Sequence, residues 1–190
     1  MANVIRLRKG LNINLKGRAS EQVSKAVVSG EYALVPDGFF GVTPKVVVHE
    51  GDYVKAGDAL FVNKHYPDVK FSSPVSGQVV AVERGERRKV LCVKVKAEDE
   101  QHYQSFDTLD VKAAEDSQVI DLLLKAGLFG YINQLPYAVS TNPTVMPKAI
   151  FVSALRDMPL AADFEVELKG NEEAFQTGLT ALSRIAKTYL

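Results

Sequence analysis

The chain has 190 residues, 46% of them hydrophobic and 24% charged, a balance that supports a buried core and excludes a disordered or fibrous chain. Its 23 basic and 23 acidic residues cancel, which argues against a nucleic-acid surface, because phosphate binding needs Lys and Arg in excess on one face. The one cysteine, Cys92, can form neither an internal disulfide nor, alone, a metal or iron–sulfur centre, and no apolar run reaches the roughly 20 residues that span a bilayer.

Residues 1–42 read as an extended segment packing on a barrel. Ile5, Leu7, Leu11, Ile13 and Leu15 fall at odd positions, the period of a strand, with Gly10 and Gly17 as turns. The same stretch lacks the apolar h-region of a signal peptide. With the single cysteine it predicts a cytoplasmic protein. Ala33–Val35 is a further short apolar piece ending in the turn Pro36-Asp37-Gly38.

Residues 43–100 are the densest β region. Val46–Val48 opens it, and the stretch EGDYVKAGDAL over 50–60 holds two Gly-Asp reversals, Gly51-Asp52 and Gly57-Asp58. Val69–Ser73, the SSPVSG segment, Gln78–Val82 and Val90–Val95 follow at short spacing, which predicts a small barrel or sandwich. Arg84–Lys89 reads as a solvated hairpin turn, its basic run broken by Glu86. Cys92, in the alternating run KVLCVKVK, reads as a buried strand residue.

Residues 101–147 form a connector with one helix. Val119, Ile120, Leu122, Leu123 and Leu124 make its apolar face, Asp116 or Ser117 caps it, and Gly127 ends it. Asn133–Pro147 carries three prolines without a period and reads as a loop. Residues 148–190 begin a Rossmann-like α/β domain. KAIFVSAL over 148–155 looks like a strand covered on both faces, and Arg156–Gly170 like a loop. Asn171 caps a helix over Glu172–Lys187 with Phe175, Leu179, Leu182 and Ile185 on one face. A parallel sheet needs a return strand after that helix, so the βαβ unit looks unfinished and the chain reads as truncated.

Motifs with chemistry are sparse. There is no G-x-G-x-x-G, no cysteine set and no nucleophile elbow. His49, His65 and His102 lack ligand spacing. No catalytic residue and no metal site is therefore assigned. Two places have the composition of a quinone slot, which needs an apolar, aromatic wall and one or two hydrogen-bond donors. One is Phe39-Phe40 after the Pro36 turn. The other is Leu128–Tyr137, with Phe129, Tyr131 and Tyr137 as aromatics and Asn133 and Gln134 as donors. The competing role for both is to seal a domain joint or face a partner subunit.

EGDYVKAGDAL followed by SSPVSGQVVAV resembles the barrel-sandwich hybrid of biotinyl and lipoyl carriers, with Gly51, Gly57 and Gly77 in turns and Val54, Leu60 and Val79 pointing inward. Carriers hold a modified lysine at a hairpin tip. Here Lys64 and Lys70 lie near that place without the carrier context, and Pro67-Asp68 makes the turn. A longer match comprises IRLRKGLNINLKG, the segment from EGDYV to ERGERR, KAIFVSALRDMPLAADFE and the helix AFQTGLTALSRI. Together they resemble the A-subunit family of the sodium-translocating NADH:quinone reductases over nearly the whole chain.

The resemblance implies a barrel-sandwich hybrid followed by a Rossmann-like domain, an α+β chain. It implies a peripheral subunit on the cytoplasmic side of the inner membrane, partnered by the complex's other subunits, its membrane subunits above all. Such complexes are translocases that couple NADH oxidation to quinone reduction and Na+ export. NAD, FAD, FMN, riboflavin, iron–sulfur centres and Na+ are then handled by other subunits, with no cofactor in this segment and quinone as a substrate near it; the segment alone is expected to be inactive. The family often carries Arg-Pro-Phe where this chain has Leu135-Pro136-Tyr137, so no anion or quinone contact by that arginine carries over. Two other readings share parts of the pattern: a biotin- or lipoyl-type carrier module, and an electron-transfer scaffold like the C subunit of the Rnf complex.

Overall fold

The computed structural model describes residues 10, 16–17, 19–25, 28–155, 158 and 160–190. Ile5, Leu7, Leu11, Ile13 and Leu15 of the alternating segment lie outside the described residues, as do Arg156, Asp157 and Pro159.

Two antiparallel sheets enclose the first core. The strands are β1 (Glu31–Leu34), β2 (Pro44–Val46), β3 (Tyr53–Val54), β4 (Ala59–Asn63), β5 (Lys70–Ser72), β6 (Gly77–Arg84) and β7 (Val90–Ala97). One sheet runs β1-β7-β6-β3 and the other β2-β4-β5. The motif's two Gly-Asp pairs build the same reversal twice. Asp52 N–H donates to the His49 carbonyl at 3.1 Å, while its carboxylate accepts from His49 N–H at 2.7 Å. Asp58 repeats both bonds on Lys55, at 3.0 and 2.8 Å. Gly51 and Gly57 precede each aspartate at φ +94° and +102°, conformations that side chains with a Cβ avoid. The reversals aim Val54, Leu60 and Val79 inward, as the spacing predicts, where they meet Phe61, Val69, Phe71, Val93 and Val95. Each such fully buried side chain stabilises the fold by roughly 1.5–3 kcal/mol.

The polar stretch after β7 is a strap. Ala56 N–H donates to the His102 carbonyl and Gln104 N–H to the Ala56 carbonyl, at 2.9 and 2.8 Å. Gln101 completes it: its side-chain oxygen accepts from Ser76 N–H at 2.8 Å and its amide donates to the Glu98 carbonyl at 2.7 Å. The Ser76 end of the SSPVSG corner is thereby bonded to a segment some 25 residues downstream.

Helix α1 (Asp116–Lys125) begins one residue earlier than its expected caps. Glu115 is the N-cap, and Gln118 closes a capping box by accepting from Glu115 N–H at 2.9 Å. Asp116 is already helical and binds only the next amide, Ser117 N–H. Gly127 ends the helix at φ +70° as expected. Ile120 and Leu123 of α1 pack against both the barrel core and a second cluster of Ala114, Val119 and Ile185. The helix thus joins barrel to α/β unit.

Residues 133–147 contain a hairpin where a loop is expected, β8 (Asn133–Gln134) against β9 (Val139–Ser140). Beyond it, only Ile150–Phe151 of the apolar run forms a strand, β10, and Phe151 is exposed rather than covered. Residues 164–168 form helix α2, capped by Asp163, whose carboxylate accepts from Glu165 N–H at 2.9 Å. Helix α3 (Glu172–Ile185) stops two residues short of the expected Lys187, because Thr188–Tyr189 must extend as β11. Asn171 holds the N-cap position without a side-chain capping bond. Strand β11 pairs in parallel with β10, Ile150 opposite Thr188 and Phe151 opposite Tyr189, with the two rings stacked at 5.3 Å. A short parallel return strand, Thr188–Tyr189, is therefore present after α3, where none is expected.

The β6–β7 turn is strained. Arg87 (φ 52°, ψ 30°) and Arg88 (φ 61°) occupy left-handed conformations, and Lys89 N–H donates to the Glu86 carbonyl at 3.1 Å. That is the geometry of a type I′ turn, which favours Asn-Gly. The double substitution Arg87→Asn/Arg88→Gly should therefore raise stability by about 1 kcal/mol, read as a higher urea midpoint at unchanged slope.

Candidate functional site

The Pro36–Gly38 turn sets the direction of the two adjacent phenylalanines. Phe39 N–H donates to the Pro36 carbonyl at 2.9 Å and Val42 N–H to the Phe39 carbonyl at 3.2 Å, a tight double turn on a buried proline. Phe39 points inward, with its ring 4.3 Å from Phe71 and 6.1 Å from Phe61. Phe40 points out and is 69% exposed.

The second aromatic segment arrives at the same place. Leu128–Ile132 crosses the barrel on a 3-10 turn, with Phe129 buried in the core and Gly130 against the Phe71 ring. A Cβ on Gly130 would lie 2.6 Å from that ring, so the close crossing requires glycine. Tyr131 meets Phe39 edge to face at 5.2 Å. The β8–β9 hairpin then folds back. Ser140 N–H donates to the Phe40 carbonyl at 2.9 Å, and Thr141 N–H to the Ile132 carbonyl at 2.9 Å.

The two candidate segments, separate in sequence, therefore meet, through the Phe39–Tyr131 ring contact and the Ser140–Phe40 backbone bond. Of the seven candidate residues, Phe39 and Phe129 face the core. Phe40, Tyr131, Asn133, Gln134 and Tyr137 are exposed, Tyr137 at 78% near the hairpin tip. Leu128 and Leu135 add exposed aliphatic surface that aromatic and amide composition does not reveal. The face is open. It can stack a planar ring on Phe40 or Tyr131 and offer the Asn133 and Gln134 amides, and a second surface is needed to enclose anything bound there.

Two cavities among the described residues lie elsewhere. One, of about 430 Å³, is lined by Tyr53, Gly77, Gln78, Lys96, Ala97 and Glu98. There the Tyr53 hydroxyl donates to the Glu98 carboxylate, which holds the carboxyl below its ordinary range and raises the phenol. The other, of about 210 Å³, lies between α3 and the chain end, beside Gln176, Thr180 and Leu190.

The remaining candidates stay apart. Lys64 is exposed and its N–H donates to the Thr43 carbonyl, whereas Lys70 sits within β5 opposite Val62. Pro67 and Asp68 occupy the β4–β5 turn between them. Cys92 is buried, its thiol donating to Glu83 at 3.4 Å, and burial pushes its pKa up. Among the described residues no three His, Cys, Asp or Glu side chains come together as metal ligands, and no helix is long and apolar enough to cross a membrane.

Residues 5–98 match the NqrA N-terminal barrel-sandwich hybrid domain, and residues 114–190 match the NqrA second alpha/beta domain. The chain is similar to the A subunit of the Na(+)-translocating NADH-quinone reductase of Yersinia pseudotuberculosis, 34% identical over 184 residues, covering 96% of this chain and 41% of the relative. The like-named subunits from Marinomonas sp. and Pseudomonas aeruginosa are 33% and 34% identical, over 96% and 98% of this chain and 41% and 42% of their own lengths. The chain thus spans about two-fifths of the relatives it matches. With both domain types present in order across almost the whole sequence, it belongs to the family of A subunits of Na(+)-translocating NADH-quinone reductases.

Proposed function

We infer that this chain acts as part of a peripheral subunit on the cytoplasmic side of a sodium-pumping NADH:quinone reductase. It caps the assembly against the membrane subunits and contributes to the quinone-reducing end. NADH, FAD, FMN, riboflavin, iron–sulfur centres and Na+ are handled by other subunits, and quinone is the substrate nearest this one.

The observation that carries the reading is the exposed face of Phe40, Tyr131, Leu135 and Tyr137. Large apolar side chains clustered on a surface mark a place that another surface covers. The barrel holds this face rigidly, because Phe39 and Gly130 both rest on the buried Phe71 ring. An open face with two amides beside it suits a quinone head only when a partner supplies the opposite wall. Quinone contact and partner docking are on this account two uses of one surface.

The test is a pull-down from native membranes using the tagged full-length parent protein, followed by an NADH:quinone reductase assay with and without sodium. Co-purifying membrane subunits and sodium-stimulated turnover are expected. Elution alone, or with a carboxylase or dehydrogenase core, would overturn the reading.

A further inference from the structure

We propose that the β6–β7 turn and the aromatic hairpin together form one membrane-facing surface that binds anionic lipid headgroups. Three observations converge on it. The first is unpaired charge. Arg84, Arg87 and Arg88 are exposed, and none of them makes an ion pair among the described residues. Arg84 instead donates to the Arg88 carbonyl at 3.4 Å, bracing the turn. Set against the exposed Glu86 of the same turn, the three arginines still leave a locally positive tip in a chain of zero net charge.

The second is the strain already described. Two adjacent arginines take left-handed backbone where Asn-Gly would sit at lower energy. A local rule broken at an exposed tip points to a use for the side chains displayed there. The third is continuity. Lys89, the residue after the tip, pairs with Asp37 at 2.6 Å, and Asp37 belongs to the turn that orients Phe39 and Phe40. The cationic tip is thereby tied to the rim of the aromatic face.

Arginines beside exposed Tyr, Phe and Leu match the headgroup zone, where guanidinium groups bind phosphate and amphipathic rings sit at the boundary. The shape favours a bilayer over an acidic peptide. Peptides are held in grooves or along free sheet edges; the two cavities described above lie away from this surface, and the strands of its β8–β9 pair are two residues each, too short to hold an added strand. The proposal takes the arginine tip and Tyr137 at the hairpin tip as the lipid contact, leaves Phe40 and Tyr131 to partner subunits, and rests on that reading only for placing the protein at a membrane.

The experiment is co-sedimentation of the 190-residue chain with vesicles of phosphatidylglycerol and phosphatidylethanolamine, and with phosphatidylcholine vesicles alone. The expected result is binding to the anionic vesicles that weakens with salt and is absent with phosphatidylcholine. Arg87→Asn/Arg88→Gly, which keeps the turn, should weaken binding on the order of ten- to thirty-fold, and Tyr137→Ser should weaken it further. Lys112→Asn/Lys169→Asn removes the same charge from the helical half and should leave binding unchanged. Equal binding by wild type and the arginine variant would overturn the proposal. So would no binding to anionic vesicles together with arginine-dependent binding of polyglutamate, which would assign the tip to an acidic protein segment. Because no other subunit is present, failure here leaves the pull-down result standing, and failure of the pull-down leaves vesicle binding to be read separately.

Discussion

Gly77→Ala is expected to abolish folding of the barrel. Gly77 opens β6 at φ +152°, between β3 on one side and β7 on the other. A Cβ there would sit 1.9 Å from the Lys96 carbonyl oxygen and 2.9 Å from its carbon. The obstacle is backbone of the neighbouring strand, held by the Gly77–Ala97 and Gln78–Lys96 pairing, so no side chain can swing away. Relief requires breaking the corner where SSPVSG enters the sheet. Together with the backbone conformation, the expected loss is on the order of 3–5 kcal/mol, enough to exhaust a domain at the low end of the roughly 5–15 kcal/mol that folded domains have. The measurement is chemical denaturation followed by circular dichroism. The neighbouring change Gln78→Ala, at an exposed position where it removes one hydrogen bond to the Gly51 carbonyl at 3.2 Å, should cost no more than about 1 kcal/mol and controls for the site.

The second large effect is expected at Phe71. Its ring is fully buried, stacked on Phe61 at 4.9 Å and covered by Phe39 at 4.3 Å. Phe71→Ala removes a large side chain from a site whose walls are a β-sheet and a glycine crossing, neither of which can collapse inward. A loss of about 3–5 kcal/mol follows. The variant has a consequence that a remote core substitution lacks. Phe39 and Gly130 both rest on this ring, so the aromatic face loses its floor. Phe71→Leu, which keeps most of the volume, should cost far less and should keep the face in place. Comparing membrane-subunit capture by the two variants, at a temperature where both are folded, separates support of the face from bulk stability.

The parts of this fold that were legible in the sequence are those made by local chemistry. Each Gly-Asp reversal closes within four residues, and its aspartate bonds the residue three before it. The barrel's corners and inward residues could therefore be named without knowing which strands pair. Helices α1 and α3 were visible by their apolar period. What escaped was short or distant. Strands β8 to β11 are two residues each; β8 and β9 pair across a short hairpin, and β10 depends on β11 nearly forty residues on. No periodicity survives in two residues. The cap of α1 moved to Glu115 because a long carboxylate with Gln118 forms a reciprocal box that Asp116 and Ser117 cannot. The site followed the same division. Its aromatics and amides were recognisable by type, whereas their union into one face depends on a backbone bond between Phe40 and Ser140, a hundred residues apart, and on Phe71 beneath them, which nothing in its local sequence marks.

The most direct test of the central claim, that the joined aromatic face is the working surface of this chain, is the double variant Phe40→Ser/Tyr131→Ser in the full-length parent within its complex. Both side chains are mostly exposed, so the barrel should stay folded. The account predicts either loss of co-purifying membrane subunits or a rise on the order of ten-fold in the Michaelis constant for quinone. Unchanged assembly together with an unchanged quinone Michaelis constant would contradict it.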